Sequence, residues 1–393
     1  MNKSFKKDKM MLKDINSRMF LACSISFILF FSPKIAFSQK NDGFAGSKAC
    51  GMCHSGVKKL HAAHGHSKML RPVEDAKAPA GIEVNLPDGM AWKDISYLTG
   101  GYKYYARFID SKGYVVTGPK AQWSMVGKTF TPFKPEIPPG TLKYECVKCH
   151  TVGWKASGTY ENGVNNSLEG IPGVWFENGV GCESCHGPGQ EHIALQSKRD
   201  ANDTKGDKKI VRDTKSELCG TCHKRTNDGS IIIVANDMLE SRQQYTELMK
   251  SKKAKFTCVT CHEPHMTSAG FIPGSSAPAI KQCESCHTGK LKKDIKIKAM
   301  SFLKCENCHM PLAARGAFDS MVKGYHKGDT HSHLFGITTD TAYKLNDGTN
   351  HAAFNKDGYA RLTVEMVCYS CHKAGIAHDM PREEMLEIAK KIH

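Results

Sequence analysis

One pentapeptide, Cys-x-x-Cys-His, occurs eight times in this chain of 393 residues and uses sixteen of its 17 cysteines. Two cysteines three residues apart can each form a thioether with one porphyrin, and the histidine that follows then binds the iron from one side. The pattern therefore predicts eight covalently bound c-type haems. The remaining cysteine, Cys23, lies in an N-terminal segment that we expect to be removed.

Each motif is predicted to supply two thioether cysteines and one proximal histidine. In chain order, the predicted haem-binding residues are Cys50, Cys53 and His54; Cys146, Cys149 and His150; Cys182, Cys185 and His186; Cys219, Cys222 and His223; Cys258, Cys261 and His262; Cys283, Cys286 and His287; Cys305, Cys308 and His309; and Cys368, Cys371 and His372. Zinc is the alternative, because Cys-x-x-Cys is also half of a zinc site. Zinc sites do not need a histidine after every second cysteine, so the repetition favours haem.

The number of haems also indicates the fold class. With about 44 residues per haem, the porphyrins would supply much of the apolar core that so short a chain lacks. We expect a mainly α fold with much irregular loop, organised around eight haems, with a small β-hairpin subdomain at about residues 90–130. Two helices are predicted from apolar periodicity, over residues 238–249 and 382–392.

The hairpin is predicted where residues 102–110 and 114–117, rich in aromatic and β-branched side chains, flank Ser111-Lys112-Gly113. The aromatic residues nearby either form the core of this subdomain or a wall beside a haem. They are Trp92, Tyr97, Tyr104, Tyr105 and Trp123.

The N-terminus has the pattern of a secretory signal. Residues 1–18 are basic, residues 19–31 are apolar, and Ala36-Phe37-Ser38 precedes a predicted cleavage site before Gln39. An uncleaved anchor is the alternative, although a membrane-spanning helix needs about 20 apolar residues. We expect a signal peptide over residues 1–38, no integral membrane span after its cleavage, and a location in the periplasm or outside the cell.

The basic composition does not indicate a nucleic-acid partner. Of the formal net charge of +16, the predicted signal peptide carries +5. The propionates of eight haems would offset about eight further positive charges. The predicted partners are therefore redox proteins, a donor and an acceptor.

Eleven histidines lie outside the motifs, and eight irons need a sixth ligand. Because there are enough of these histidines for every sixth position and few to spare, mostly bis-histidine haems are predicted, with methionine as the competing ligand. The candidate distal ligands are His66, His192, His265, His333, His326, His351 and His378, and the remaining histidines are His61, His64, His331 and His393.

The first half of the chain resembles the cytochrome c-554 family of periplasmic tetrahaem electron carriers, from about Gly46 to Arg225. The resemblance rests on GSKACGMCH, GGYKYYARFIDSKGYVVTG, CVKCHTVGW and GVGCESCHGPGQEH. It implies that His66 and His192 are distal ligands, and that the haem on His150 can lack a sixth ligand. Residues 39–235 are accordingly predicted as a cytochrome c-554-like tetrahaem region and 236–393 as a second tetrahaem region.

The second region resembles segments of other multihaem cytochromes. CVTCHEPH contains His265, and GDTHSHLFGI contains His333 at a common distal-ligand position. Relatives often carry Ser-x-His before CVTCH, where this chain has Ser251-Lys252-Lys253. A distal histidine is therefore missing there, and Lys253 is either a solvated lysine or an amine ligand.

Two functions are compatible with these motifs. The leading hypothesis is an electron-transfer octahaem cytochrome without catalytic residues. The alternative resembles the octahaem oxidoreductases, with nitrite, hydroxylamine or tetrathionate reacting at one open haem, and the haem on His150 is the preferred site. An oligomer or filament is a third hypothesis, in which a neighbouring copy lends His61 or His64 as a distal ligand.

Overall fold

A computed structural model describes residues 40–198, 209–266, 280–288, 298–317, 320–322, 325–372 and 379–392. The predicted signal peptide, Cys23, His378 and His393 lie outside the described residues. Within the described ranges, no helix is long and apolar enough to cross a membrane.

The helices are short, and half of those in the described residues include part of a Cys-x-x-Cys-His motif. The α-helices are Ser47–Cys53, Ser55–Ala62, Val147–His150, Cys182–His186, Gln190–Gln196, Ser216–Gly220, Gln244–Met249, Cys305–His309, Val364–Cys368 and Arg382–Lys391. The 3-10 helices are Lys40–Gly43, Gly65–Lys68, Trp92–Asp94, Cys258–Thr260, Cys283–Ser285 and Lys298–Met300. The C-terminal helix lies where the sequence predicts it.

A single helical turn fixes the geometry of a motif. The backbone amide of the motif histidine donates to the carbonyl of the first cysteine, at 2.9 Å between His54 and Cys50 and at 2.8 Å between His372 and Cys368. This i to i−4 bond places the two thiols and the imidazole around one turn. No longer helix is needed, which explains why so much of the chain is loop.

The largest sheet has five antiparallel strands in the order β1 to β5. The strands are β1 Arg71–Pro72, β2 Ile95–Gly100, β3 Tyr105–Asp110, β4 Gly118–Ser124 and β5 Thr129–Phe133. The sequence predicts only a hairpin here. It does not show that β3 pairs with β2 on one side and with β4 on the other. Arg107 of β3 lies opposite Thr99 of β2 and Gln122 of β4. The predicted strand at 114–117 forms only isolated bridges, from Val115 to Ile109 and from Tyr114 to Lys143.

The other sheets are small and join segments that are distant in sequence. They pair Thr151–Val152 with Glu177–Asn178, Val234–Ala235 with Met238–Glu240 and Ala314–Arg315, Ser320–Val322 with Tyr325–Lys327, and Ile337–Thr338 with Leu362–Thr363. The helix predicted over 238–249 is therefore wrong at its start. Met238 and Leu239 are buried in a strand that pairs on both sides, and the helix begins at Gln244.

Hydrophobic clusters support these sheets. Ile95, Leu98 and Phe108 pack beneath the five-stranded sheet. In the second half, Leu239, Leu334 and Leu362 belong to one cluster. The same cluster includes Ile232 and Val234, which precede the predicted division of the chain. The predicted division between residues 235 and 236 stays a prediction.

Glu183, inside the third motif, anchors the start of the described chain. Its side chain is 4% exposed, and its carboxylate accepts three backbone N–H groups. Oε1 accepts from Ala45 at 2.9 Å and from Gly189 at 2.7 Å, and Oε2 accepts from Gly46 at 2.8 Å. Hydrogen bonds to a buried charge are among the stronger ones in proteins.

We expect Glu183→Gln to lower the free energy of unfolding of the holoprotein by about 1–3 kcal/mol, because an amide NH₂ would face a backbone donor and leave it unpaired. Chemical denaturation at equal haem content measures the loss. The control is Glu136→Gln, which removes an exposed ion pair with Lys134 and should change stability far less. Equal losses in both variants would contradict this role for Glu183.

Candidate functional site

The first six motifs surround one large cavity. Its volume is about 2470 Å³, and all of their cysteines and histidines line it. Pockets for a single small ligand measure about 300–1,000 Å³. The cavity is therefore large enough for several porphyrins, and the donors that line it are the two thiols and one imidazole per motif that c-type haem needs.

Four motif histidines each face a histidine from elsewhere in the chain. The ring centroids are 6.4 Å apart for His54 and His192, and 6.0 Å apart for His66 and His223. The other two pairs are His186 with His265 at 6.0 Å, and His262 with His333 at 6.2 Å.

This spacing fits a metal ion held between two imidazoles. Two metal–nitrogen bonds of about 2 Å, with the distance from each nitrogen to its ring centre added, give roughly 6 Å between centroids. Each pair joins one motif histidine to one candidate distal ligand. The residues present therefore fit c-type haem with two axial histidines at these four motifs.

Hydrogen bonds at Nδ1 fix the tautomer of two motif histidines. Nδ1 lies 2.7 Å from the Val211 carbonyl in His186 and 2.8 Å from the Phe335 carbonyl in His309. A carbonyl can only accept, so in both rings Nδ1 carries the proton and Nε2 keeps its lone pair. Such contacts fix the tautomer and orientation of a metal-binding histidine.

His150 has the longest of these hydrogen-bond chains. Its Nδ1 lies 2.5 Å from the Tyr144 hydroxyl, which donates to Thr99 Oγ1 at 3.0 Å. Thr99 in turn donates to the Met69 carbonyl at 2.7 Å. This series of hydrogen bonds ends on the Met69 carbonyl, which can only accept, so the hydroxyls of Tyr144 and Thr99 both donate away from His150. The proton of His150 therefore sits on Nδ1, and Nε2 is available for a metal.

Burial keeps several of these imidazoles neutral. Desolvation lowers the pKa of His66, His150 and His333 to about 3, and the neighbouring His64, Arg242 and His262, respectively, lower the pKa further. A metal binds only the deprotonated nitrogen. At neutral pH these three side chains are therefore already deprotonated and can bind iron without losing a proton.

His64 and His61 are placed differently from His66. The Nδ1 of His64 accepts the backbone N–H of His66 at 2.9 Å, so the neutral ring carries its proton on Nε2. The ring of His61 lies parallel to that of His64 at 6.2 Å, and neither belongs to a motif. Of these three candidates, His66 alone is paired with a motif histidine in the described residues.

The remaining candidates lie in the second half. Nδ1 of His331 lies 2.5 Å from the Met310 carbonyl, and this histidine lines the cavity. His351 lies in a loop with its Nδ1 3.1 Å from Thr349 Oγ1. His326 lies in the strand Tyr325–Lys327. The distal-ligand roles of His326 and His351, and of His378 beyond the described residues, stay predictions.

The aromatic residues of the β-subdomain divide between the two predicted roles. Trp92 and Trp123 pack in the core under the sheet, and Tyr97 packs edge-to-face on Trp175. Tyr104 and Tyr105 line the large cavity. One sheet therefore supplies a core on one side and part of the cavity wall on the other.

Two arginines beside His150 are not indicated by the motif pattern. The guanidinium of Arg107 lies 4.0 Å from the ring centre of Tyr105 and 3.9 Å from that of Phe133. Arg242 lies beside Cys146, and both arginines lower the pKa of His150. A basic residue within the aromatic strand β3 is the signal that sequence reasoning missed.

Comparisons with known proteins agree with this chemistry. The sequence profile of the cytochrome c554 and c-prime family matches residues 134–187, which contain the second and third motifs. The resemblance to that family is thereby confirmed, and it implies covalently bound c-type haem. The multiheme cytochrome MtrA of Shewanella baltica (strain OS185) is 23% identical over 178 residues. That match covers 42% of this chain and 45% of MtrA.

Two solved structures are similar over most of the chain. The outer cell wall cytochrome OcwA is 18% identical, with 76% of this chain and 80% of OcwA covered, at a TM-score of 0.49. The octaheme sulfite reductase MccA of Wolinella succinogenes (form II) is 16% identical, with 83% of this chain and 65% of that chain covered, at a TM-score of 0.49.

We expect His66→Ala to open one iron without loss of haem, because the thioethers and His223 are untouched. The variant should gain a high-spin ferric signal and bind one more carbon monoxide per chain than the wild type when reduced. The potential of that haem should rise, since a strong donor to ferric iron is lost. Electron paramagnetic resonance and carbon monoxide titration measure the change.

The matched control is His64→Ala, which should leave the spin state and carbon monoxide binding unchanged. If His64→Ala opens an iron and His66→Ala does not, the pairing of His66 with His223 is not an axial one.

Proposed function

We propose that this chain is an octahaem c-type cytochrome that relays electrons between redox partners outside the cytoplasm. The observation that carries the proposal is the proximity of the motifs to one another. Four pairs of neighbouring cysteines each join two motifs. The pairs are Cys50 with Cys182, Cys149 with Cys222, Cys219 with Cys258, and Cys283 with Cys305.

Other cysteines lie close enough to interact electrostatically and connect these pairs. Cys185 lies near Cys222, Cys261 near Cys286, and Cys308 near Cys371. Together, these seven neighbouring pairs link all eight motifs. Haems bound at these motifs would lie close to one another, which is the arrangement that a chain of electron transfers needs.

The facing histidines support closed irons along most of this path. We assign His192, His66, His265 and His333 as distal ligands of the haems on His54, His223, His186 and His262, respectively. When bound, a haem with two axial ligands supplies reversible one-electron transfer and leaves no position for a substrate. The Val211 carbonyl holds His186 in its metal-binding tautomer, and burial keeps His66 and His333 neutral.

The location and partners follow from the same proposal. Haem is attached to Cys-x-x-Cys-His after export, which agrees with the predicted signal peptide at residues 1–38. The donor and acceptor would be other redox proteins, and no nucleic acid is involved. The chain spans less than half of the curated relative that it matches, so its partners are inferred from chemistry alone.

A second candidate function rests on His150. Within the described residues, no second histidine ring faces it, while Arg107 and Arg242 place positive charge nearby. An open iron beside two arginines would attract a small anion such as nitrite or tetrathionate. The site would then be a terminal reductase centre, supplied with electrons through the contact between Cys149 and Cys222.

Three measurements on the holoprotein test the proposal. Its mass should correspond to eight haems, and voltammetry of the adsorbed protein should show reversible exchange of eight electrons. Turnover of nitrite, hydroxylamine, tetrathionate and sulfite with a reduced dye should be absent. Fewer than eight haems or irreversible reduction would contradict the relay, and turnover of any of these compounds would support the second candidate.

A further inference from the structure

Lys253 lies where the sixth motif needs an axial ligand. Its Nζ is 3.1 Å from Nε2 of His287, the ring nitrogen through which a motif histidine binds iron. The four motif histidines already described face a second imidazole at the corresponding position. At His287 the group in contact is a primary amine.

The backbone around Lys253 is fixed. The helix Gln244–Met249 ends just before Ser251, whose side chain is fully buried. Ser251 Oγ donates to the Leu248 carbonyl at 2.8 Å and accepts the backbone N–H of Lys253 at 3.0 Å. The Lys253 carbonyl then accepts from Phe256 at 2.9 Å. The lysine therefore starts from an ordered turn rather than from a free loop.

The surroundings of Lys253 differ from those of its neighbour. Lys252 is exposed and forms an ion pair with Asp357 at 3.4 Å. Lys253 is half-buried, lines the large cavity and has no carboxylate partner within the described part of the chain. Its Nζ lies 5.4 Å from the ring centre of Phe256. A lysine that serves only as a surface charge is expected to be exposed to solvent, as Lys252 is.

We propose that Lys253 is the distal axial ligand of the haem bound by Cys283, Cys286 and His287. The inference rests on the proposed function, since it requires a haem at this motif. A deprotonated lysine has one lone pair on nitrogen and can bind a metal as imidazole does. Two metal–nitrogen bonds of about 2 Å would separate the two nitrogens by about 4 Å. The flexible four-carbon side chain can supply the extra ångström.

The assignment also explains the departure from Ser-x-His. A lysine two residues after Ser251 occupies the position of the absent histidine and reaches the same cavity. The iron on His287, which lies between the fifth and the seventh motif on the proposed path, is then closed.

Three variants test the ligand. Lys253→Leu removes the amine and puts no other metal-binding group in its place. Lys253→Arg keeps the positive charge, but a guanidinium stays protonated and cannot bind iron. Lys252→Leu is the matched control. Carbon monoxide binding to the reduced protein and the high-spin ferric signal are measured for each, with the haem count taken from the mass.

Lys253→Leu and Lys253→Arg are each expected to bind one more carbon monoxide per chain than the wild type, with the haem count unchanged, while Lys252→Leu behaves as the wild type. In the wild type itself, near-infrared magnetic circular dichroism should resolve one ferric haem with an amine ligand. No gain of carbon monoxide binding in Lys253→Leu, or wild-type behaviour of Lys253→Arg, would overturn the assignment. A wild-type mass short of eight haems would instead overturn the proposed function.

Discussion

The helical turn of the Cys-x-x-Cys-His motif is the constraint on which the rest of the structure depends. The bond from the histidine amide to the first cysteine carbonyl fixes three donors within five residues. Because each motif is complete in one turn, no long helix is needed to present it. The loops between motifs then only have to bring these turns into contact, so segments far apart in sequence meet at cysteine pairs such as Cys50 and Cys182.

A fold of this kind places its apolar interior in the cofactors. The protein clusters lie to the sides, under the five-stranded sheet and around Leu239 and Leu362, while the centre is a cavity of about 2470 Å³. A cavity of that size lined by the chain alone would be strongly destabilising. Filling it with porphyrin restores close packing, so attachment of haem and formation of the native fold should be one coupled process.

The sequence predicts local features well and long-range ones poorly. The motifs, the position of the β-subdomain and the helix Arg382–Lys391 follow from spacing and periodicity. The five-stranded sheet does not, because pairing of β3 on both sides depends on residues outside the hairpin. Nor does the strand Met238–Glu240, where pairing with Ala314–Arg315 outweighs an apolar pattern that is typical of a helix. Facing rings such as His262 and His333 lie in different loops, so sequence can supply candidates for them but no pairs.

The carrier and the reductase would use the same framework and differ at one position. In either proposed function, electrons would reach the second motif from the fourth, where Cys149 lies near Cys222. The chain from His150 through Tyr144 and Thr99 fixes Nε2 for iron in either case. What separates the two functions is the group opposite His150. An imidazole or amine there would make the second motif one more step in the relay, whereas water or an anion held beside Arg107 and Arg242 would make it the end of one.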